Sequence, residues 1–127
     1  MNHNRHRLWP HNDKGKEGER IARQYLSDHG YLILESNWRF GHLEADIIAY
    51  KDNLVIFVEV KTRSTDWYGA PEEFVDLKKR QAYIRLANAY IVQKNRPEEV
   101  RFDIIAVVTG HDDPKIKHIV GAYTTVG

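Results

Sequence analysis

LEADIIAYKDNLVIFVEVKTR, residues 43–63, decides how this 127-residue chain folds. Residues 43–50 and 54–62 read as β-strands, and Lys51-Asp52-Asn53 between them has the composition of a tight turn. With Asp52 and Asn53 as the two loop residues, Lys51 faces Leu54, Asp46 faces Glu59 and Glu44 faces Lys61. Opposed residues of an antiparallel pair point the same way, with Cβ atoms about 5 Å apart. The hairpin therefore gathers Glu44, Asp46, Glu59 and Lys61 on one face. The other face carries Ala45, Ile47 and Ala49 against Ile56, Val58 and Val60, a core pattern. Ile48 and Phe57 continue the charged face into apolar packing.

Such a cluster is costly. Like charges opposed across a sheet destabilise it, and two adjacent carboxylates repel. A shared proton is one remedy. A divalent cation between the acids is another, and carboxylate oxygens suit the hard ions Mg²⁺ and Mn²⁺. Lys61 then stands beyond the acids, where it can meet a negative substrate group. The competing reading is an exposed sheet face with cross-strand salt bridges, Glu44 to Lys61 for example.

Working outward, residues 14–29 read as a helix. Gly18, Ile21, Ala22, Tyr25, Leu26 and His29 share one side, and Gly30 supplies a stop. Residues 31–35 form a short strand. Residues 64–74, with Gly69 and Pro71, form a loop. Residues 75–93 make a long amphipathic helix closed by Asn95 and Pro97. Residues 101–109 are a strand, 111–115 a turn and 116–123 a candidate last strand. The expected architecture is α/β, a mixed sheet flanked by helices in the order α-β-β-β-α-β. Residues 1–13 are polar, with His3, His6, His11, Arg5 and Arg7, and read as a flexible arm before a single domain spanning 14–127.

Composition narrows the chemistry. The chain has no cysteine, which removes disulfides, thiolate-bound zinc, iron–sulfur clusters and thiol nucleophiles together. No apolar run approaches a membrane span and no secretory segment is visible, so a soluble, cytoplasmic protein is expected. The formal charge of +1 says less than where the charges lie.

The helices bring further candidates. Glu19 lies at the edge of the first helix's apolar stripe and can reach inward, although an acid in a first turn also suits the helix dipole. Lys79 lines up with Ala82, Tyr83, Leu86 and Tyr90, so it flanks the buried face of the second helix. It is either a snorkelling stem or a second cation aimed at a phosphate. Lys78, Arg80 and Arg85 are expected to point outward. Arg39, Arg63, Lys78 and Arg80 collect on either side of the acids, with Trp67 and Tyr68 available for stacking. Cations with aromatics nearby suit nucleic acid.

Asp46 followed by Glu59-Val60-Lys61 on the next strand resembles the D…E-x-K core of the restriction-endonuclease-like, or PD-(D/E)XK, nuclease superfamily. Gly18-Glu19 with Ala22, Gly30-Tyr31, Asn37, Glu44-Ala45-Asp46, FVEVKTR, Gly69, Lys79 and Arg101-Phe102-Asp103 occur here in order. This pattern is similar to the YraN-like family (UPF0102) over residues 14–109. That family in turn resembles archaeal Holliday junction resolvases. Leu43 stands where the family has a glycine. The resemblance implies a restriction-endonuclease-like core and a Mg²⁺- or Mn²⁺-dependent endonuclease that hydrolyses phosphodiester bonds of DNA. Branched junctions and flaps are the candidate substrates, and 5′-phosphate and 3′-hydroxyl ends the expected products. It implies Glu19, Asp46, Glu59 and Lys61 as catalytic residues, with Glu44 and Lys79 supporting. The metal ligands would be Asp46, Glu59, the carbonyl of Val60 and Glu19. Branched substrates would favour a homodimer. The alternative is a non-catalytic nucleic-acid-binding module that keeps the nuclease fold. The resemblance assigns Arg101 and Asp103 no role beyond pairing to anchor a strand.

Overall fold

The computed structural model describes residues 10–64, 77–110 and 113–125, with side chains from residue 15 onward. Its elements are α1 (Pro10–Asp28), β1 (Leu32–Phe40), β2 (Leu43–Lys51), β3 (Leu54–Arg63), α2 (Leu77–Lys94), β4 (Glu99–Val108) and β5 (Lys115–Tyr123). The strands form one sheet in the order β1-β2-β3-β4-β5. Every neighbouring pair is antiparallel except β3 and β4, which run parallel. A parallel pair needs a crossover, and α2 supplies it. This is the expected α/β arrangement of a mixed sheet between helices, compatible with a restriction-endonuclease-like core. Among the described residues, no helix is long and apolar enough to cross a membrane.

The hairpin has the register that a two-residue loop dictates. Asp52 and Asn53 both adopt left-handed backbone, at φ 52° and 64°. This is a type I′ turn, whose twist matches that of its strands. Lys51 pairs with Leu54, and the ladder continues to Ile47 opposite Val58. Both helices close by one device. Gly30 (φ 87°) donates to Ser27 O at 3.2 Å while Tyr31 donates to Leu26 O at 2.9 Å. Asn95 (φ 53°) donates to Val92 O at 3.3 Å while Arg96 donates to Ile91 O at 3.0 Å. Each is a Schellman cap, with the left-handed residue just past the helix.

The sheet carries a core on each face. Ala22 and Leu26 of α1 cover Ile47, Ala49, Ile56, Val58, Ile105 and Val107. Tyr83, Leu86, Ala87 and Tyr90 of α2 cover Ile48, Phe57 and Phe102.

Three expectations need correction. The first helix begins at Pro10 rather than at residue 14; residues 1–9 lie outside the described residues. Proline's fixed φ and missing N–H suit a first helical turn, and polar neighbours hid that start from an apolar-periodicity test. The first strand runs on to Phe40 rather than stopping at residue 35. A register shift between Ile33 and Glu35 and a left-handed Asn37 (φ 53°) break the alternation by which a strand is read. Finally, Ala45 packs with the α2 core instead of joining Ile47 and Ala49 against α1. The alternation of β2 breaks at Asp46. Of the loop expected at residues 64–74, residues 65–74, with Trp67 and Tyr68, lie outside the described residues.

Candidate active site

The site is built where β2 and β3 part. Their ladder ends at Ile47 opposite Val58, whereas β3 stays paired with β4 as far as Arg63 opposite Val108. Two backbone N–H groups near the fork go to side chains instead. The N–H of Asp46 donates to the Tyr83 hydroxyl at 3.1 Å, and the N–H of Val60 donates to Asp46 Oδ2 at 2.8 Å. The fork is thus hydrogen-bonded through Asp46 itself. Buried backbone polar groups must find partners, so this arrangement holds the Asp46 carboxylate in place.

The fork opens into a cleft of about 350 Å³ lined by Gly15, Glu19, Asp46, Glu59, Val60, Lys61, Thr62 and Lys79. Glu19 comes from α1, Lys79 from α2 and the rest of the charge from the hairpin. Close packing brings α1 there. A side chain at Gly18 would collide with Thr62 Oγ1 and stand 3.3 Å from Thr62 Cβ. Glycine lets the helix backbone rest on the end of β3, and Glu19 follows.

Glu59 is 3% exposed. Its Oε2 lies 2.9 Å from Lys61 Nζ and 3.7 Å from Lys79 Nζ. Both are ion-pair distances, yet no N–H is aligned on Oε2, so this buried oxygen has no hydrogen bond. The Asp46 carboxyl is pushed up to about 7. Burial is the main cause, and the charges of Glu19 and Glu59 add to it. The Val60 N–H and the Lys79 ammonium oppose the rise without cancelling it. The cleft thus sets the carboxyl groups of Glu19, Asp46 and Glu59 against the ammonium groups of Lys61 and Lys79.

These donors fit a divalent ion of the Mg²⁺ type. Among the described residues, no three His, Asp or Glu side chains converge closely enough to cage a metal by themselves. Mg²⁺ does not require such a cage, since it commonly takes one or two carboxylates and completes its shell with water and substrate phosphate. Glu59 Oε2 is ion-paired but accepts no aligned hydrogen bond, which leaves a lone pair available to a cation beside Asp46.

The remaining candidates are distributed differently. Glu44 does not line the cleft; it lies opposite Arg39 on β1, with Arg39 Nη2 and Glu44 Oε1 3.6 Å apart. Lys61 pairs with Glu59 rather than with Glu44. Arg63 closes β3 and donates from Nη1 to Thr62 O at 2.9 Å. Lys78 is exposed at the start of α2. Arg80 does not extend outward: it is partly buried, its guanidinium lies 5.6 Å from the centre of the Tyr123 ring, and its Nε is buried without a hydrogen bond. Tyr83, Asn37 and Thr62 were not among the site candidates. Tyr83 sits on the apolar stripe of its helix, so its sequence signal is that of a core residue. Asn37 donates from Nδ2 to Glu19 Oε1 at 3.0 Å.

Fold and cleft together define an α/β protein whose sheet forks around acids and lysines, an architecture compatible with a restriction-endonuclease-like core. The chain belongs to the Uncharacterised protein family UPF0102, whose model matches residues 18–107. Every charged residue of the cleft falls within that match. A UPF0102 protein of Bacteroides thetaiotaomicron is 48% identical over 113 residues, covering 89% of this chain and 93% of the relative. One from Flavobacterium psychrophilum is 44% identical and covers 89% and 95%. Another, from Caldanaerobacter subterraneus subsp. tengcongensis, is 42% identical and covers 86% and 93%.

Proposed function

We propose that the protein is a metal-dependent endonuclease that hydrolyses phosphodiester bonds of DNA, with branched structures such as junctions or flaps as the substrates of choice. The observation that carries this reading is the convergence of Asp46 and buried Glu59 on one cleft, with Lys61 Nζ 2.9 Å from Glu59 Oε2. Asp46 and Glu59 would hold the Mg²⁺ or Mn²⁺ ion, with the Val60 carbonyl as a further donor and Glu19 reaching the ion directly or through water. Such an ion, when bound, neutralises phosphate charge and acidifies water for in-line attack.

The chain's own residues have distinct tasks. Asp46 bridges the fork through the Val60 N–H, so its carboxylate is fixed before any ligand arrives. Lys61 has a side chain 21% exposed, which leaves its ammonium able to turn from Glu59 towards a phosphate oxygen. There it would stabilise the charge that grows as the phosphorus–oxygen bond breaks. Lys79 offers a second cation from the opposite wall. Lys78, Arg63 and Arg39 would contact the backbone of the nucleic acid, and binding would weaken steeply with salt as phosphate contacts do.

The test is a cleavage panel of linear duplex, single strand, flap and four-way junction with Mg²⁺ or Mn²⁺. Wild type is run beside Glu59→Ala and Lys61→Ala. Cleavage by wild type, nearly abolished in Glu59→Ala while DNA binding persists, is the expected result. Intact substrates on a protein that still binds DNA would instead mark a non-catalytic binding module with the nuclease fold.

A further inference from the structure

Glu19 reaches the cleft from α1, and the residue that meets it is on another element. Asn37 of β1 donates from Nδ2 to Glu19 Oε1 at 3.0 Å. Ser36 pairs with Ile47 and Trp38 with Ala45, so Asn37 stands level with Asp46. Its backbone is left-handed, at φ 53°. Among the described residues, the other non-glycine residues in that region are Asp52 and Asn53 in the hairpin loop and Asn95 at the end of α2. Each of those serves a turn or a cap. Asn37 alone lies inside a strand, where a left-handed residue interrupts pairing and costs free energy. Asparagine is among the few side chains that tolerate this backbone while offering an amide donor. Strain kept in the middle of a strand calls for a return elsewhere.

We infer that Asn37 is a positioning residue: its left-handed backbone swings the amide off the strand and onto Glu19, holding that carboxylate towards Asp46 and Glu59. This deepens the metal-dependent reading of the cleft and rests on it. A hydrogen bond to one oxygen of Glu19 fixes the side chain's rotamer and leaves the other oxygen for a cation. Partners of this kind typically alter metal affinity by about 10- to 100-fold when removed.

The test uses Mn²⁺ alone as the probe, titrated into the full chain and followed by its paramagnetic resonance signal. Wild type is compared with Asn37→Gly, Glu19→Gln, the double variant and Asp46→Asn. Glycine accepts the left-handed backbone, so Asn37→Gly removes the amide without straining the fold, and its metal-free melting temperature should stay close to that of wild type. The expected loss of Mn²⁺ affinity is roughly tenfold for Asn37→Gly. The double variant should bind no more weakly than Glu19→Gln, because the amide acts only through that carboxylate. Wild-type affinity in Asn37→Gly, alongside lost affinity in Asp46→Asn, overturns the positioning role and leaves the metal site standing. Losses that multiply in the double variant also overturn it, since Asn37 would then act independently of Glu19. A wild-type chain that takes up no Mn²⁺ overturns the metal reading and the inference together.

Discussion

Glu59 combines three properties that seldom coexist: a carboxylate, almost complete burial, and an oxygen without a hydrogen bond. Lys61, at 2.9 Å, is the nearest compensating charge, and Lys79 at 3.7 Å the next. Removing one partner of a buried ion pair leaves an uncompensated charge and typically costs about 3–5 kcal/mol. Lys61 is itself 21% exposed, so solvent already screens part of the pair. Lys61→Ala should therefore lose roughly 2 kcal/mol in urea unfolding of the metal-free protein, at the lower end of that scale. Glu59→Gln should lose less, because its amide needs no counter-charge and Lys61 can reach water. Adding Mn²⁺ should reduce the loss in Lys61→Ala, since a bound cation replaces the missing ammonium. Equal stability of Lys61→Ala and wild type would show that the Lys61 ammonium does not stabilise buried Glu59.

At the scale of elements, the seating of α1 on β3 decides whether Glu19 belongs to the site. Two effects compete at Gly18. Alanine is the better helix former by about 1 kcal/mol in an exposed helix interior. Against that, the added Cβ collides with Thr62 Oγ1, and overpacking costs roughly 1–3 kcal/mol. The collision should win, so Gly18→Ala should lower the melting temperature and Gly18→Ala/Thr62→Ala should recover it. A higher melting temperature for Gly18→Ala alone would show that the helix does not rest on Thr62. The elements themselves were largely legible. The hairpin register follows from a two-residue loop that only left-handed residues fit, and Gly30 and Asn95 marked both helix ends because those residues tolerate the caps the helices need. The fork was not legible. It depends on Tyr83, whose position on an apolar stripe gives no hint that its hydroxyl replaces a ladder bond of Asp46. It depends also on Asn37, whose left-handed turn is invisible to any test based on alternation. Glu44 illustrates the same limit. Register grouped it with Asp46, but it faces Arg39 of β1 and does not line the cleft.

Over the whole molecule, two aspartates, Asp103 buried and Asp46 partly so, pull stability in opposite directions as pH changes. Asp103 is 1% exposed and ties strands together. Arg101 Nε and Nη2 donate to it at 2.9 and 2.8 Å, the Gly121 N–H at 3.0 Å, and His118 Nε2 lies 2.8 Å away. Arg101 also donates to the Tyr31 hydroxyl at 2.9 Å, and His118 Nδ1 meets the Tyr25 hydroxyl at 3.2 Å. The network thus joins β4, β5, the entry to β1 and α1. Burial alone would raise the Asp103 carboxyl, but the hydrogen bonds from His118, Arg101 and Gly121 hold it below its ordinary value. An acid depressed in this way stabilises the fold above its unfolded value, and the benefit is lost as pH falls through the folded one. Asp46 behaves oppositely. Raised from 3.8 to about 7, it favours the protonated folded state, so stability declines as pH climbs from about 4 to 7 and levels off above. At about 1.4 kcal/mol per unit, that decline is on the order of 4 kcal/mol. The metal-free protein should accordingly be most stable near pH 4, as far as these two groups decide it. Asp46→Asn should match wild type near pH 4 and exceed it by a few kcal/mol at pH 8, because asparagine can accept the Val60 N–H without carrying charge. Mn²⁺ should lift wild type most at pH 8, where Asp46 is already ionised, and leave Asp46→Asn almost unchanged. The measurement is melting temperature against pH for both proteins, with and without Mn²⁺. Parallel wild-type and variant profiles would remove the electrostatic cost at the fork, and with it the reason for a cation to bind there.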